Sequence, residues 1–251
     1  MVCSIPKIRS ILRLWSLGVV FLLCKVQPIF SQTEFQFPKE IEFCIFKNNI
    51  KTSERSVFSF ADKGRYIDTA YTLFRFIDQK HNTTNEIHTY LNSLDYSYIS
   101  SIFLCNLKKY LETQVIHGKG FDQSETMMIK FQTDTQKGFE PLCDALLFID
   151  LNTALVILAQ ATYLNTHFNE QCYYYSFTDK KIKYAQVKKT GKKSLSIKGK
   201  KMLCNMFQIH SLHDEEKIDI YINNDLKGYS MPASILWKNL HIQFKLNNVI
   251  Y

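Results

Sequence analysis

Glu40-Ile41-Glu42-Phe43-Cys44-Ile45-Phe46-Lys47, then Asn48-Asn49, then Ile50 through Phe60, is the stretch whose reading decides the fold. Charged residues alternate with isoleucine and phenylalanine along the first eight positions. In an extended chain such alternation puts odd and even side chains on opposite faces of a sheet, one dry and one wet. Two asparagines follow, and asparagine tolerates the positive φ that a tight hairpin demands. The extended pattern then resumes. This is a β-hairpin with one face turned to a core.

Working outward, the pattern repeats. Asp62-Lys63-Gly64 marks a second turn, and Tyr66 to Ile77 is another aromatic, β-branched run, so the first third reads as an antiparallel meander. Asp78 to Asn85 is a polar loop holding Asn82-Thr83-Thr84, a glycosylation sequon in a eukaryotic host. Glu86 to Leu94 fits a short helix or a strand. Ser97 to Leu104, Tyr110 to His117 and Met127 to Thr133 read as strands. So do Cys172 to Thr178, Lys181 to Lys188, Ser194 to Lys198, Cys204 to Ile209, Ile218 to Ile222 and His241 to Leu246. Asp179-Lys180, Thr190-Gly191 and Lys198-Gly199 are the turns between the later ones.

Pro141 to Leu164 departs from this. A proline suited to a first helical turn is followed by Asp144 and by alanine- and leucine-rich sequence without glycine, which predicts one long or two short helices. A membrane span is the competing reading. Asp150, Asn152 and Thr153 in its middle oppose it, because a mid-bilayer aspartate costs about 2.5–3.5 kcal/mol. The sum is a mainly β fold of about ten strands with one or two helices packed on it. A sheet of that width curls into a strongly curved antiparallel sheet or an incomplete barrel.

The N-terminal residues predict a destination. Lys7, Arg9 and Arg13 precede the apolar run Leu14 to Cys24, and Ser31 is a small residue placed for cleavage. The expectation is a signal helix in residues 1–31, removed on export to the periplasm, cell envelope or medium, with a single β-rich domain over 32–251. The alternatives are an uncleaved anchor, opposed by Lys25 and Pro28, and a lipoprotein on Cys24, opposed by the bulk of Leu23. Cleavage lowers the formal charge from +8 to +4, since four of the 31 basic residues and none of the 23 acidic ones lie in the leader.

Five cysteines remain after the leader: Cys44, Cys105, Cys143, Cys172 and Cys204. Export permits disulfides among them, while their wide spacing and the size of the core favour buried thiols. No Cys-x-x-Cys pair offers the close ligands of a structural zinc site. His210 and His213, before Asp214-Glu215-Glu216, are the weak metal candidates, and they share a face only if that stretch is helical. No nucleophile elbow, zinc-protease helix, phosphate loop or dinucleotide fingerprint is present, so no catalytic residue and no cofactor is expected. A Cys/His nucleophilic pair is the residual catalytic reading.

Lys180 to Lys201 is the most polarised segment, with ten lysines and no acid. Lys188, Lys189, Lys192 and Lys193 are the candidates for binding an anionic partner. The plainer reading is a solvated hairpin whose lysines deter edge pairing. Arginine is absent and Tyr184 is the lone interleaved aromatic, so a nucleic-acid partner is not expected.

The hairpin Glu40 to Phe60, the segment Glu140-Pro141-Leu142-Cys143-Asp144-Ala145, and Lys217-Ile218-Asp219-Ile220-Tyr221-Ile222-Asn223-Asn224-Asp225 with the later Pro232 resemble the exported bacterial β-rich family called domain of unknown function 3108. It differs at Asn48-Asn49, where glycine is expected, and in lacking an arginine after the helix. The resemblance implies a curved antiparallel sheet or incomplete barrel and no established activity. The functional expectation is an exported non-catalytic protein that binds an apolar or lipid-like ligand in its curved sheet. The alternative is an interaction protein that uses the segment 180–201 on an anionic surface.

Overall fold

The Asn48-Asn49 turn forms as expected, both residues at positive φ (49° and 66°), and it joins β1 (Glu40–Lys47) to β2 (Ile50–Ala61). A computed structural model describes residues 36–61, 69–119, 125–133, 137–141, 146–147, 150–164, 167–176, 181–212, 214–224 and 229–251. The leader, the Asp62-Lys63-Gly64 and Asp179-Lys180 turns, Asp144, Cys143 and His213 lie outside these residues.

The first meander continues with β3 (Thr69–Asp78), β4 (Thr83–Asn92), β5 (Tyr98–Cys105), β6 (Lys108–Lys119), β7 (Glu125–Thr133) and β8 (Lys137–Pro141). After β9 (Leu146–Leu147) and the helix α1 (Leu151–Tyr163) come β10 (Asn169–Ser176), β11 (Lys181–Ile197), β12 (Lys200–Ser211), β13 (Lys217–Asn224), β14 (Ser230–Trp237) and β15 (Ile242–Ile250). All fifteen strands belong to one sheet, ordered β8-β7-β6-β5-β4-β3-β2-β1-β15-β14-β13-β12-β11-β10-β9. Two meanders therefore meet along β1 and β15, whose antiparallel register runs from Glu40↔Ile250 to Lys47↔Ile242. Only β9 is parallel to its neighbour, β10. The sheet is curved and unclosed, with β8 and β9 at its two edges.

Fifteen strands replace the expected ten for local reasons. Most of Glu86 to Leu94, up to Asn92, joins a strand, because Ile87, Thr89 and Leu91 face the core at period two. Pro232 hides β14 in the sequence, yet it is accommodated where the β13–β14 register shifts between Tyr221 and Ile222, next to the proline. Thr190-Gly191 is a correction: it is a bulge inside one long strand, where Gly191 takes φ 142° and β11 shifts register against β12. The helix starts later than predicted. Pro141 ends β8, and Asp150 supplies the N-cap.

Helix α1 is buried on ten of its thirteen residues, and the half-buried Ile157, Gln160 and Tyr163 fall on one stripe at helical spacing, so all but that stripe packs into protein. It packs against β3 and β4 on one side and β13 and β14 on the other, so the sheet wraps it. Leu155, Val156, Leu158 and Ala159 join Ile41, Phe43, Phe58, Phe74, Phe207, Ile220 and Ile222 in one core. No helix among the described residues is long and apolar enough to cross a membrane.

Candidate functional site

The concave face holds three features: a hydroxyl row under the helix, an apolar mouth, and a buried carboxylate cluster. The hydroxyl row comes from strand register. Thr72 pairs with Thr89, Thr89 with Ser101 and Ser101 with Thr113, so four adjacent strands present buried hydroxyls in line. Asp150 meets this row. Its Oδ1 accepts from the Thr153 backbone N–H at 2.8 Å, which caps the helix. Its Oδ2 accepts from Thr89 Oγ1 at 2.7 Å and from Ser101 Oγ. Asn152 Nδ2 donates to the Ile87 carbonyl and to Thr89 Oγ1, both at 2.9 Å. Burial pushes the Asp150 carboxyl up from its ordinary range, against the pull of these hydrogen bonds. Of the three residues that oppose a membrane span in the sequence, Asp150 and Asn152 thus fasten the helix to the sheet and Thr153 completes its cap. Burial likewise raises the Tyr98 phenol, which is hydrogen-bonded to Thr113.

The mouth lies at the end of the sheet where the β1–β2 and β3–β4 turns sit. Core-facing positions continue past the helix here, from Ile45, Phe76 and Phe244 outward to Lys47, Glu54, Asp78, Thr83, Asn85 and Ile242. Together with Ile77 they line a cavity of about 280 Å³. Its aromatic floor is continuous: Phe76 is 4.7 Å from Phe74 and 5.8 Å from Phe244, centroid to centroid. Its rim is charged, with Lys47 and Glu54 paired at 2.6 Å and Asp78 holding His81 at 2.6 Å.

The carboxylate cluster occupies the same end of the other meander. Glu216 accepts from the Tyr174 hydroxyl at 2.8 Å and from Trp237 Nε1 at 2.9 Å, and Lys183 Nζ lies 3.4 Å away. Lys183 also pairs with Asp214, whose carboxyl that bond holds down at about 2. Burial, with Glu216 beside it, raises the Tyr174 phenol. Trp237 pairs with Ile242 across β14 and β15, so this cluster adjoins the mouth.

The convex face carries a constellation that sequence reasoning missed. Tyr71 hydroxyl lies 2.7 Å from His88 Nδ1, His88 Nε2 lies 2.8 Å from Glu86 Oε2, and Arg75 Nε donates to Glu86 Oε1 at 2.8 Å. A carboxylate only accepts, so Nε2–H donates to Glu86 and, in the neutral ring, Nδ1 accepts from Tyr71. Burial opposes ionisation of Glu86, but the Arg75 and His88 bonds outweigh it and lower the carboxyl. The visible signal was Glu-x-His at strand spacing, and the pairing of β3 with β4 completes it. It stands on the side of the sheet away from the helix.

Of the residues singled out from sequence, Lys188 and Lys192 are exposed on β11 and Lys189 is half-buried. Lys193 Nζ sits 5.7 Å above the Tyr221 ring. Burial, and then Lys192, lower the Lys189 ammonium. Cys44, Cys105, Cys172 and Cys204 are free thiols on four different strands. Burial raises Cys172 to about 12 and Cys204 to about 11, which leaves both as unreactive thiols. His210 is half-buried on β12, paired in register with Gln186 and Lys217, while His213 lies outside the described residues. Among the described residues no group of three metal-ligating side chains comes together.

This architecture defines a β-rich, barrel-like protein: an open sheet rolled about one helix. No family model and no curated protein matches the chain. Among solved structures it is similar to the crystal structure of a beta-barrel-like protein of domain of unknown function DUF1849 from Brucella abortus. The TM-score is 0.52 and the identity 9%, covering 86% of this chain and 98% of that one. At that identity the likeness shows the fold alone. DUF1849 is a different domain from 3108, so the findings support a barrel-like fold without an established role and not the specific family resemblance.

Proposed function

We propose that this chain is an exported, non-catalytic binding protein of the cell envelope or medium that takes an apolar or lipid-like ligand at the mouth of its rolled sheet. One observation carries the reading: the helix fills the middle of the trough but leaves a cavity of about 280 Å³ floored by Ile45, Phe76 and Phe244. That is close to the lower end of small-molecule sites, about 300–1,000 Å³, and an apolar floor with a few polar groups at the rim is their usual composition. The volume suits one acyl chain end or a compact apolar group and not a whole bilayer lipid. Glu216, Tyr174 and Trp237 beside the mouth satisfy one another and stiffen that wall.

The test is a titration with a fluorescent polyene fatty acid. Wild-type protein binds it saturably, and Phe76→Glu, which places a charge on the floor, abolishes binding while the far-UV spectrum stays that of a β protein. Equal binding by wild type and Phe76→Glu, or no binding by either, refutes the reading.

A further inference from the structure

The longest hairpin of the sheet runs beyond its neighbours. Strand β10 covers β11 only as far as Lys188, and β13 covers β12 only from Cys204 onward. Between these points, residues 189–203 form a two-stranded ribbon closed by Lys198 and Gly199 at φ 49° and 76°. Its two faces differ. Leu195, Ile197 and Met202 pack with Cys204, Tyr221 and Ala233 in a small apolar cluster, and Ile197 and Met202 also touch the main core. That cluster fixes the ribbon against the sheet. The opposite face follows from register: Lys192 pairs with Asn205, Ser194 with Leu203 and Ser196 with Lys201. It presents Lys192, Lys201 and Leu203, with Lys198 at the tip, and no acidic side chain. Leu203 is 60% exposed on this face, opposite Ser194 and two residues from Lys201 along its strand.

We propose that this ribbon docks the protein on an anionic lipid bilayer, with Lys192, Lys198 and Lys201 among the headgroups and Leu203 entering the acyl boundary. An exposed leucine that shares its face with lysines is the chemistry of an interfacial anchor, in which apolar insertion and attraction to anionic lipid add. Lysine carries a compact, strongly hydrated charge on a flexible stem, which suits a fluid plane of headgroups. A nucleic acid is disfavoured by the same face, which has neither an arginine fork nor an aromatic platform for bases. The ribbon is separate from the mouth and does not depend on what the mouth binds.

Co-sedimentation with phosphatidylcholine vesicles, with and without phosphatidylglycerol, tests this. The protein pellets with the anionic vesicles and not with the neutral ones, and added salt releases it. Each lysine near the surface contributes about fivefold, so Lys192→Glu/Lys198→Glu/Lys201→Glu weakens partitioning by more than about 100-fold. Leu203→Ser weakens it about tenfold with the charge unchanged. Thermal melting of both variants controls for folding. Equal pelleting with both vesicle types, no pelleting, insensitivity to these substitutions, or release by a competing oligonucleotide overturns the proposal.

Discussion

Replacing Asp150 tests whether the hydroxyl row holds the helix inside the sheet. The Asp150 carboxyl caps the helix through Thr153 and accepts the hydroxyls of Thr89 and Ser101. Asp150→Ala loses the cap, about 1 kcal/mol. Ser101 Oγ has Thr89 Oγ1 as another acceptor at 3.3 Å, so one of the two hydroxyls is left without a partner. A buried orphan of that kind costs about 1–3 kcal/mol, for a total near 3 kcal/mol. Asp150→Asn keeps an acceptor and loses about 1 kcal/mol in acid. The pH dependence has a definite sign. Burial raises the folded carboxyl above its ordinary 3.8, so between those two values the folded state binds more protons than the unfolded one. Stability from this group is therefore greatest at low pH and falls as pH rises through that window, by about 1.4 kcal/mol per pH unit. Asp150→Asn cannot titrate there. Urea unfolding of both proteins across pH gives the difference in free energy, in which all other groups cancel. The wild type loses ground to Asp150→Asn as pH rises above 3.8. A flat difference, or one of opposite slope, refutes the buried-carboxyl account.

Other substitutions probe the remaining packing. Leu158→Ala opens a cavity beneath the fully buried face of α1 and lowers the unfolding free energy by about 3 kcal/mol in denaturant melts. Glu216→Ala strips the acceptor from Tyr174 and Trp237 and removes one of the carboxylates beside Lys183, costing about 3 kcal/mol. It also shifts the emission of Trp237, the one tryptophan after residue 31, whereas Glu216→Gln changes both less. Gly191→Ala meets no neighbour within 4 Å, so its cost of about 1 kcal/mol is purely the left-handed backbone, and it appears as faster amide exchange along the ribbon. Asp214→Asn shows the opposite pH behaviour from Asp150. Lys183 holds the folded Asp214 carboxyl at about 2, so its contribution is present above 3.8 and fades as pH falls toward 2.

Strands were legible in this sequence because each carries its own alternation, and turns were legible where asparagine or glycine had to take positive φ. Asn48-Asn49 and Lys198-Gly199 are both of that kind. Pairing was not legible. Nothing within Glu40–Lys47 announces that its second neighbour is Ile242–Ile250, two hundred residues on, because strand partnership is a long-range choice. The helix was legible as composition but not as position. Pro141 has the chemistry of a first-turn residue but ends a strand, while the cap, Asp150, looks in the sequence like a polar interruption of an apolar run. The mouth could not be read at all. Ile45 and Phe244, each 3% exposed, and the half-buried Phe76 look like any other core positions, and only the cavity beside them sets them apart. The His88 constellation escaped for the reason that hides most sites: its four members come from two strands.

Methyl NMR with labelled isoleucines tests the binding mouth most directly. On titration with a short fatty acid, the Ile45 and Ile242 methyl signals move in a saturable way, while Ile209, Ile220 and Ile222, deep in the other meander, stay fixed. Shifts spread evenly over all five, or no movement at Ile45 and Ile242, would contradict the account.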